Sequence, residues 1–426
     1  MAGLLTDPAG AVGFHGWPAA SVGSGEGYGP TMTGAPTETL DPFAPATLGP
    51  LTLRNRLLKA ATFEGRMRGG VVSPELVEFH REVAAGGIGL TTVAYCAVSK
   101  NGRVSRDCLV FTEDLVDDLR VLTDAVHAEG AAVAAQIGHA GLVAQNQSKR
   151  YPSTAPSTRF SAPATGIVRG ATAAQLDEVV EQFGRAARVA ADSGFDAVEI
   201  HLGHNYLLSS FLSPNLNKRS DEYGGSIENR LRFPRRVIRA VREAVPASMA
   251  VWAKFNMSDG VDAGLWLDES IPMAMALEAD GDLDALELTG GSSLLNGMYF
   301  FRGPVPMREF AAAQPKLIGL GVKVFGRRIL PEYPFEEAFF LEYARQFRAA
   351  LSMPLVYLGG VNTLETIEGV LGEGFQFVAI ARALLRDPGL PNKLADGRAD
   401  AGLCVHCNKC MATIYSQTHC VLPPVP

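Results

Sequence analysis

No apolar run in the chain reaches the roughly 18 residues that a membrane-spanning helix needs, so no membrane partner is expected. Basic charge is short as well. Lys and Arg total 38 against 45 Asp and Glu, a formal net charge of −7. That is not the electrostatic footprint of a nucleic-acid binder. The start lacks the basic residues and apolar core of a secretory signal. Cysteine is sparse: there are six, and Cys404, Cys407, Cys410 and Cys420 crowd the C-terminal end, which is no framework for disulfides across a large chain. A reducing cytoplasm is the expected setting. No G-x-G-x-x-G follows an apolar strand, so no second, dinucleotide-binding domain is expected.

What is present is alternation. Residues 1–38 are rich in Gly, Ala, Pro and Ser without either period, and are expected to be disordered. Met32 is a candidate native start. Beyond them, short apolar runs read as strands at Arg56–Ala61, Ile88–Tyr95, Ala131–Ile137, Ala197–His201, Met249–Phe255, Ala285–Leu288, Leu355–Leu358 and Phe377–Ile380. Helix-period segments separate them. One opens with Ser73-Pro74, a cap followed by proline at the first helical position, and closes on Gly86. Others start at Thr172 and Thr363. Continuously apolar strands alternating with helices indicate a parallel sheet covered on its outer face. Eight such units predict a closed (β/α)8 TIM barrel over residues 39–400, with an open doubly wound sheet as the rival fold. Residues 290–334 are a long insertion after the sixth strand, of a length that usually serves as a lid or contact. Residues 401–426 form a Cys-rich tail.

In such a barrel the chemistry lies at the C-terminal strand ends. The fourth strand ends in "HLGHNY", which places His201, His204 and Tyr206 at the mouth. Two imidazoles and a phenol can hold one substrate oxygen and supply a proton near neutral pH. His-x-x-His could instead bind a metal, but no third ligand of clear spacing is near. Gln136 stands at the tip of the third strand. Lys254 interrupts the apolar fifth strand, where it either pairs with a carboxylate or faces a ligand that becomes anionic. Gly359, Gly360 and Arg382 follow the last two strands, the usual phosphate site of this fold. Together these residues suit a phosphorylated redox flavin. A colourless, non-redox barrel using Lys254 as a Schiff base is the alternative from another class.

The stretch "VEIHLGHNYLLSSFLSPNLNKRSDEYGGSIENRLRF" resembles the signature of the old yellow enzyme family of FMN-dependent ene-reductases. "LTLRNRLLKAATFEG", "GGIGLTTVAYCAVSKNGR", "AAQIGHAG" and "FVAIARALLRDP" match it in order. The resemblance implies non-covalent FMN, with Ala60, Ala61 and Thr62 against the flavin and Tyr95 and Cys96 as a backbone contact. It further implies Gln136 and Lys254 on the pyrimidine, and Gly360, Ala381 and Arg382 on the phosphate. His201 and His204 match the pair that holds a substrate carbonyl oxygen, and Tyr206 matches the proton donor. NAD(P)H would be the reductant and an activated C=C bond of a small molecule the acceptor. A homo-oligomer is expected. Phe63 stands where many relatives have Thr or Cys, Lys254 where many have Arg, and Ala381-Arg382 where Gly-Arg is commoner.

The tail "LCVHCNKCMATIYSQTHCV" has the Cys-x2-Cys-x2-Cys spacing of a thiolate-bound cluster. It also resembles the iron–sulfur segment of the trimethylamine dehydrogenase and 2,4-dienoyl-CoA reductase branch, with a shorter last gap. Cys404, Cys407, Cys410 and Cys420 are thus candidate ligands of a [4Fe–4S] cluster, with structural zinc or free thiols as the other outcomes. An iron–sulfur flavoprotein acting on an amine or a dienoyl thioester is the alternative within the family.

Overall fold

Eight parallel strands close on themselves: β1 (Leu57–Lys59), β2 (Leu90–Ala97), β3 (Ala132–Gly138), β4 (Ala197–Leu202), β5 (Ala250–Asn256), β6 (Ala285–Thr289), β7 (Leu355–Leu358) and β8 (Phe377–Ile380). Each pairs with the next, and β8 pairs with β1. This is the predicted (β/α)8 barrel. The structure, a computed structural model, describes residues 40–145, 148, 150–313, 326, 330–414 and 416–423. The expectations for residues 1–38, including Met32 as a start, and for much of the insertion between 314 and 329, lie outside the described residues.

Crossover helices run Pro74–Ala85, Val116–Ala128, Ala173–Asp192, Ile227–Ala244, Leu267–Asp280, Leu341–Ala350 and Leu364–Gly372. Their starts follow local chemistry. Ser73 caps the first by accepting the Leu76 N–H, and Pro74 holds the first helical position. Thr172 and Gln175 form a reciprocal capping box. Thr363 accepts the Thr366 N–H. Among the described residues no helix is long and apolar enough to cross a membrane.

The strands alternate between two environments, as the period of two requires. Val198, Ile200 and Leu202 of β4 face the helices and join the large outer core. Ala197, Glu199 and His201 take the other face. The lower barrel interior is small and apolar: Ala134, Ala197, Ala250, Ala285 and Ala379 surround Trp252. An antiparallel pair, Ala46–Leu48 with Leu51–Leu53, packs Ala46, Leu48 and Leu53 into the same cluster and seals that end. Fully burying a Leu or Phe side chain contributes about 1.5–3 kcal/mol. The upper interior is polar, with Gln136, Glu199, His201, Lys254 and Glu287 all buried. The fold therefore divides a hydrocarbon plug below from chemistry above.

The insertion after β6 opens with short helices at Met298–Phe301 and Met307–Ala312. The Cys-rich tail is fastened to the barrel. The Thr418 N–H donates to the Glu64 carbonyl at 2.8 Å, and its hydroxyl donates to the Phe63 carbonyl.

Candidate active site

A cavity of about 1400 Å3, counting its open mouth, lies at the C-terminal ends of the strands. Ala60, Ala61, Thr62, Tyr95, Gln136, His201, His204, Tyr206, Lys254, Gly359, Gly360, Ala381 and Arg382 all line it. Cys96 stands apart. It is fully buried in the outer core on the opposite face of β2 from the cavity and is not among its lining residues.

His201 and His204 sit 5.4 Å apart, ring centre to ring centre, nearly perpendicular at 86°. Tyr206 stacks on His201 at 4.2 Å. The turn that brings them together is left-handed, with φ of +57° at His204 and +58° at Asn205. Buried polar groups hold it there. Asn256 Oδ1 accepts the His204 N–H, and Asp259 accepts from the Asn205 side-chain amide at 2.9 Å. Asp259 also accepts from Ser213, Asn256 and the Leu265 N–H. His201 Nδ1 accepts the Gly203 N–H at 3.3 Å, so the ring carries its proton on Nε2. His204 Nε2 bonds the Thr289 hydroxyl at 3.0 Å. Burial drives His201 far below the ordinary range, and His204 down to about 3. Both are neutral at physiological pH.

Lys254 has carboxylate partners. Its Nζ lies 2.9 Å from Glu199 Oε1 and also pairs with Glu287 Oε1. Gln136 Nε2 donates to Glu199 Oε2 at 3.2 Å. Burial pulls the ammonium down, but the two carboxylates more than offset this and its pKa is raised. A second buried group joins Lys59 to Glu64 at 2.9 Å, with His80 beside them. Burial pushes Glu64 up to about 7 against the pull of Lys59.

Sequence reasoning missed the aromatic wall. Phe300, Phe301, Phe335, Phe339 and Phe340, from the insertion and the segment after it, line the cavity. Phe300 lies 4.6 Å from His204, ring centre to ring centre. Loops carry no period that would have marked them. Thr289, Asn256 and Asp259 were also missed.

The lining suits FMN. The Thr62 hydroxyl is buried in this wall with no partner among the described residues. Gly360 has φ of +71°, and a Cβ there would stand 2.7 Å from the Glu336 carbonyl, so this turn of the cavity wall takes glycine and leaves its backbone unshielded by a side chain. Arg382 has no carboxylate partner among the described residues. It donates to the Arg302 carbonyl at 3.3 Å and to the Asn408 side chain, and lies over the Phe335 ring. A cation so placed is fit to meet a phosphate.

Cys410 lines the same cavity. Cys404, Cys407 and Cys420 are near enough to act electrostatically on it, and burial raises its thiol to about 11. Among the described residues, however, no three His, Cys, Asp or Glu side chains come together as metal ligands.

Residues 41–288 match the family described as NADH:flavin oxidoreductase / NADH oxidase. The 4,4'-dithiodibutanoate disulfide reductase of Rhodococcus erythropolis is 66% identical over 92% of this chain and 96% of its own length. The chain spans about half the length of two further curated relatives that are 32% and 27% identical to it. A 2-naphthoyl-CoA reductase in complex with 2-naphthoyl-CoA superposes with a TM-score of 0.74 at 24% identity, over 90% of this chain and 57% of that one. The old yellow enzyme homologue from Zymomonas mobilis does so with a TM-score of 0.65 at 24% identity, over 89% and 97%. These likenesses bear out the barrel and the resemblance read from the sequence: the chain is an enzyme of the NADH:flavin oxidoreductase / NADH oxidase family.

Proposed function

We propose that the protein uses FMN and NAD(P)H to reduce a small electrophilic acceptor, in the first instance a C=C bond conjugated to a carbonyl. The observation that carries this reading is the convergence of His201, His204 and Tyr206 on the cavity whose other residues suit the flavin. FMN, when bound, supplies two-electron chemistry, accepting hydride from NAD(P)H and giving it to the acceptor.

The chain's own residues do the rest. His201 presents Nε2–H as a neutral donor to the acceptor's carbonyl oxygen. His204, its Nε2 engaged by Thr289, turns Nδ1 to the same task. Such donors matter most where negative charge develops, and one is worth about 10²–10³ in rate. Tyr206 gives the proton to the carbon beside the carbonyl. Tyr95 does not compete for that role, because its hydroxyl already donates to the Gly102 carbonyl at 3.0 Å. The phenylalanine wall gives the acceptor an apolar surface to rest on.

A disulfide acceptor is the second reading, favoured by the 66% identity to a disulfide reductase. Hydride would then attack one sulfur and the other would leave as a thiolate, protonated by Tyr206. The test is a screen of the FMN-loaded protein with NADH and NADPH against cyclohexenone, 4,4'-dithiodibutanoate, a dienoyl thioester and methylated amines. Turnover of the enone supports the first reading. Turnover of the disulfide alone replaces it with the second. Turnover of the thioester or an amine alone, with iron found by assay, favours the iron–sulfur alternative.

A further inference from the structure

We propose that Glu199 and Glu287 together take up one proton when the cavity's flavin is reduced, so that Lys254 meets the reduced ring from a neutral rather than a net anionic layer. This rests on the FMN reading.

The argument starts from charge. Lys254, Glu199 and Glu287 lie on adjacent strands of the upper barrel: Lys254 is opposite Glu287 in the sheet register, and its ammonium reaches Glu199 two residues lower on β4. Their side chains are at most 2% exposed. With both carboxylates ionised, one ammonium and two anions sum to −1 in a buried layer. Lys254 and Gln136 line the cavity; Glu199 and Glu287 stand behind them and do not. A buried net anion behind a ligand that must gain negative charge opposes the reaction. Uptake of a proton by the carboxylate pair removes that opposition and leaves the cation in front.

The other groups facing this layer do not compete. Gln136 on β3 is uncharged. His201 on β4 and His204 beyond it are held neutral by burial. Burial also pushes Glu199 up to about 7, with Lys254 pulling it down and Glu287 pushing it up, so Glu199 titrates where a proton is available. The balance is simple. NAD(P)H delivers two electrons and one proton as hydride, water delivers the additional proton to the carboxylates, and oxidation returns it.

The test is an equilibrium redox titration of the FMN holoprotein at several pH values, for wild type, Glu199→Gln and Glu287→Gln. The fall of midpoint potential per pH unit should lose one proton per two electrons in either variant, and the potential at neutral pH should rise. Variants that hold FMN and keep the wild-type slope overturn the proposal. Should neither variant hold FMN, wild type alone decides by reduced-minus-oxidised infrared difference. A protonated-carboxyl band that appears on reduction and shifts in heavy water supports the uptake; its absence overturns it. A wild-type protein that takes up no FMN sinks the flavin reading itself, and this inference with it.

Discussion

Asn256 Oδ1 accepts the backbone N–H of His204 at 3.0 Å, which ties the turn carrying His204 to the end of the neighbouring strand. The same side chain donates to Asp259 and to the Gly291 carbonyl. Asn256→Ala takes this partner from the His204 N–H and the Gly291 carbonyl, at about 1–3 kcal/mol each, and removes one of several donors to Asp259. A lower melting temperature and roughly tenfold or weaker binding of a phenolic ligand to the oxidised holoprotein are expected. Ligand affinity equal to wild type would show that Asn256 does not position His204.

The His201→Ala, His204→Ala double variant should bind phenolic ligands far more weakly while still holding FMN. Tyr206→Phe should slow reoxidation of the reduced protein by an enone, by about 10²–10⁴ if it is the proton donor. Reduction by NAD(P)H should be nearly unchanged. Stopped-flow measurement of the two half-reactions separates these effects, and a selective loss in the reductive half rejects the role given to Tyr206.

Gly360→Ala forces a side chain into a left-handed position, at about 1–2 kcal/mol, and against the Glu336 carbonyl. FMN affinity should fall at least tenfold by fluorescence titration. An unchanged dissociation constant would remove Gly360 from the phosphate site.

His139 tests the pH dependence of stability away from the cavity. It is buried, its Nδ1 accepts the Gly141 N–H, and burial lowers it from 6.5 to about 4. Below pH 6.5 the unfolded chain gains a proton that the fold refuses, so stability is full above 6.5 and declines toward 4. The loss from this residue reaches about 3 kcal/mol at most. Glu64 and Glu199 act in the opposite sense: the stability they add is present below 4.5 and is lost as pH rises through about 7. His139→Gln should flatten the acid side of a urea-unfolding series. A variant as acid-sensitive as wild type would place the effect elsewhere, with buried His80 the next candidate.

The eight barrel strands were legible because burial on both faces makes each a continuous apolar run. The bounds moved by only a few residues. The seal at Ala46–Leu53 and the small sheet that joins Thr154–Ala155, Arg159–Ser161 and Gly166–Gly170 were not, since strands of two to five residues show no period. Lys254 was legible as an anomaly, and the structure pairs it with two carboxylates while it also lines the cavity. Its partners had a signal that went unread: Glu199 and Glu287 are each a lone acid inside an apolar strand, one on either side of the lysine strand. The phenylalanine wall could not be read, because which loop residues turn inward depends on how the loop folds over the mouth.

The indole of Trp252 stands two residues below Lys254, packed among alanines, with its N–H unpaired among the described residues. An indole in so dry a setting emits at the blue end of its range and has few competitors, since the chain has three tryptophans in all. The barrel thus carries its own optical gauge directly beneath the reaction chamber. Emission that reddens before the helices melt would reveal solvent entering the plug, and quenching on loading a coloured ligand would report occupancy without any added label.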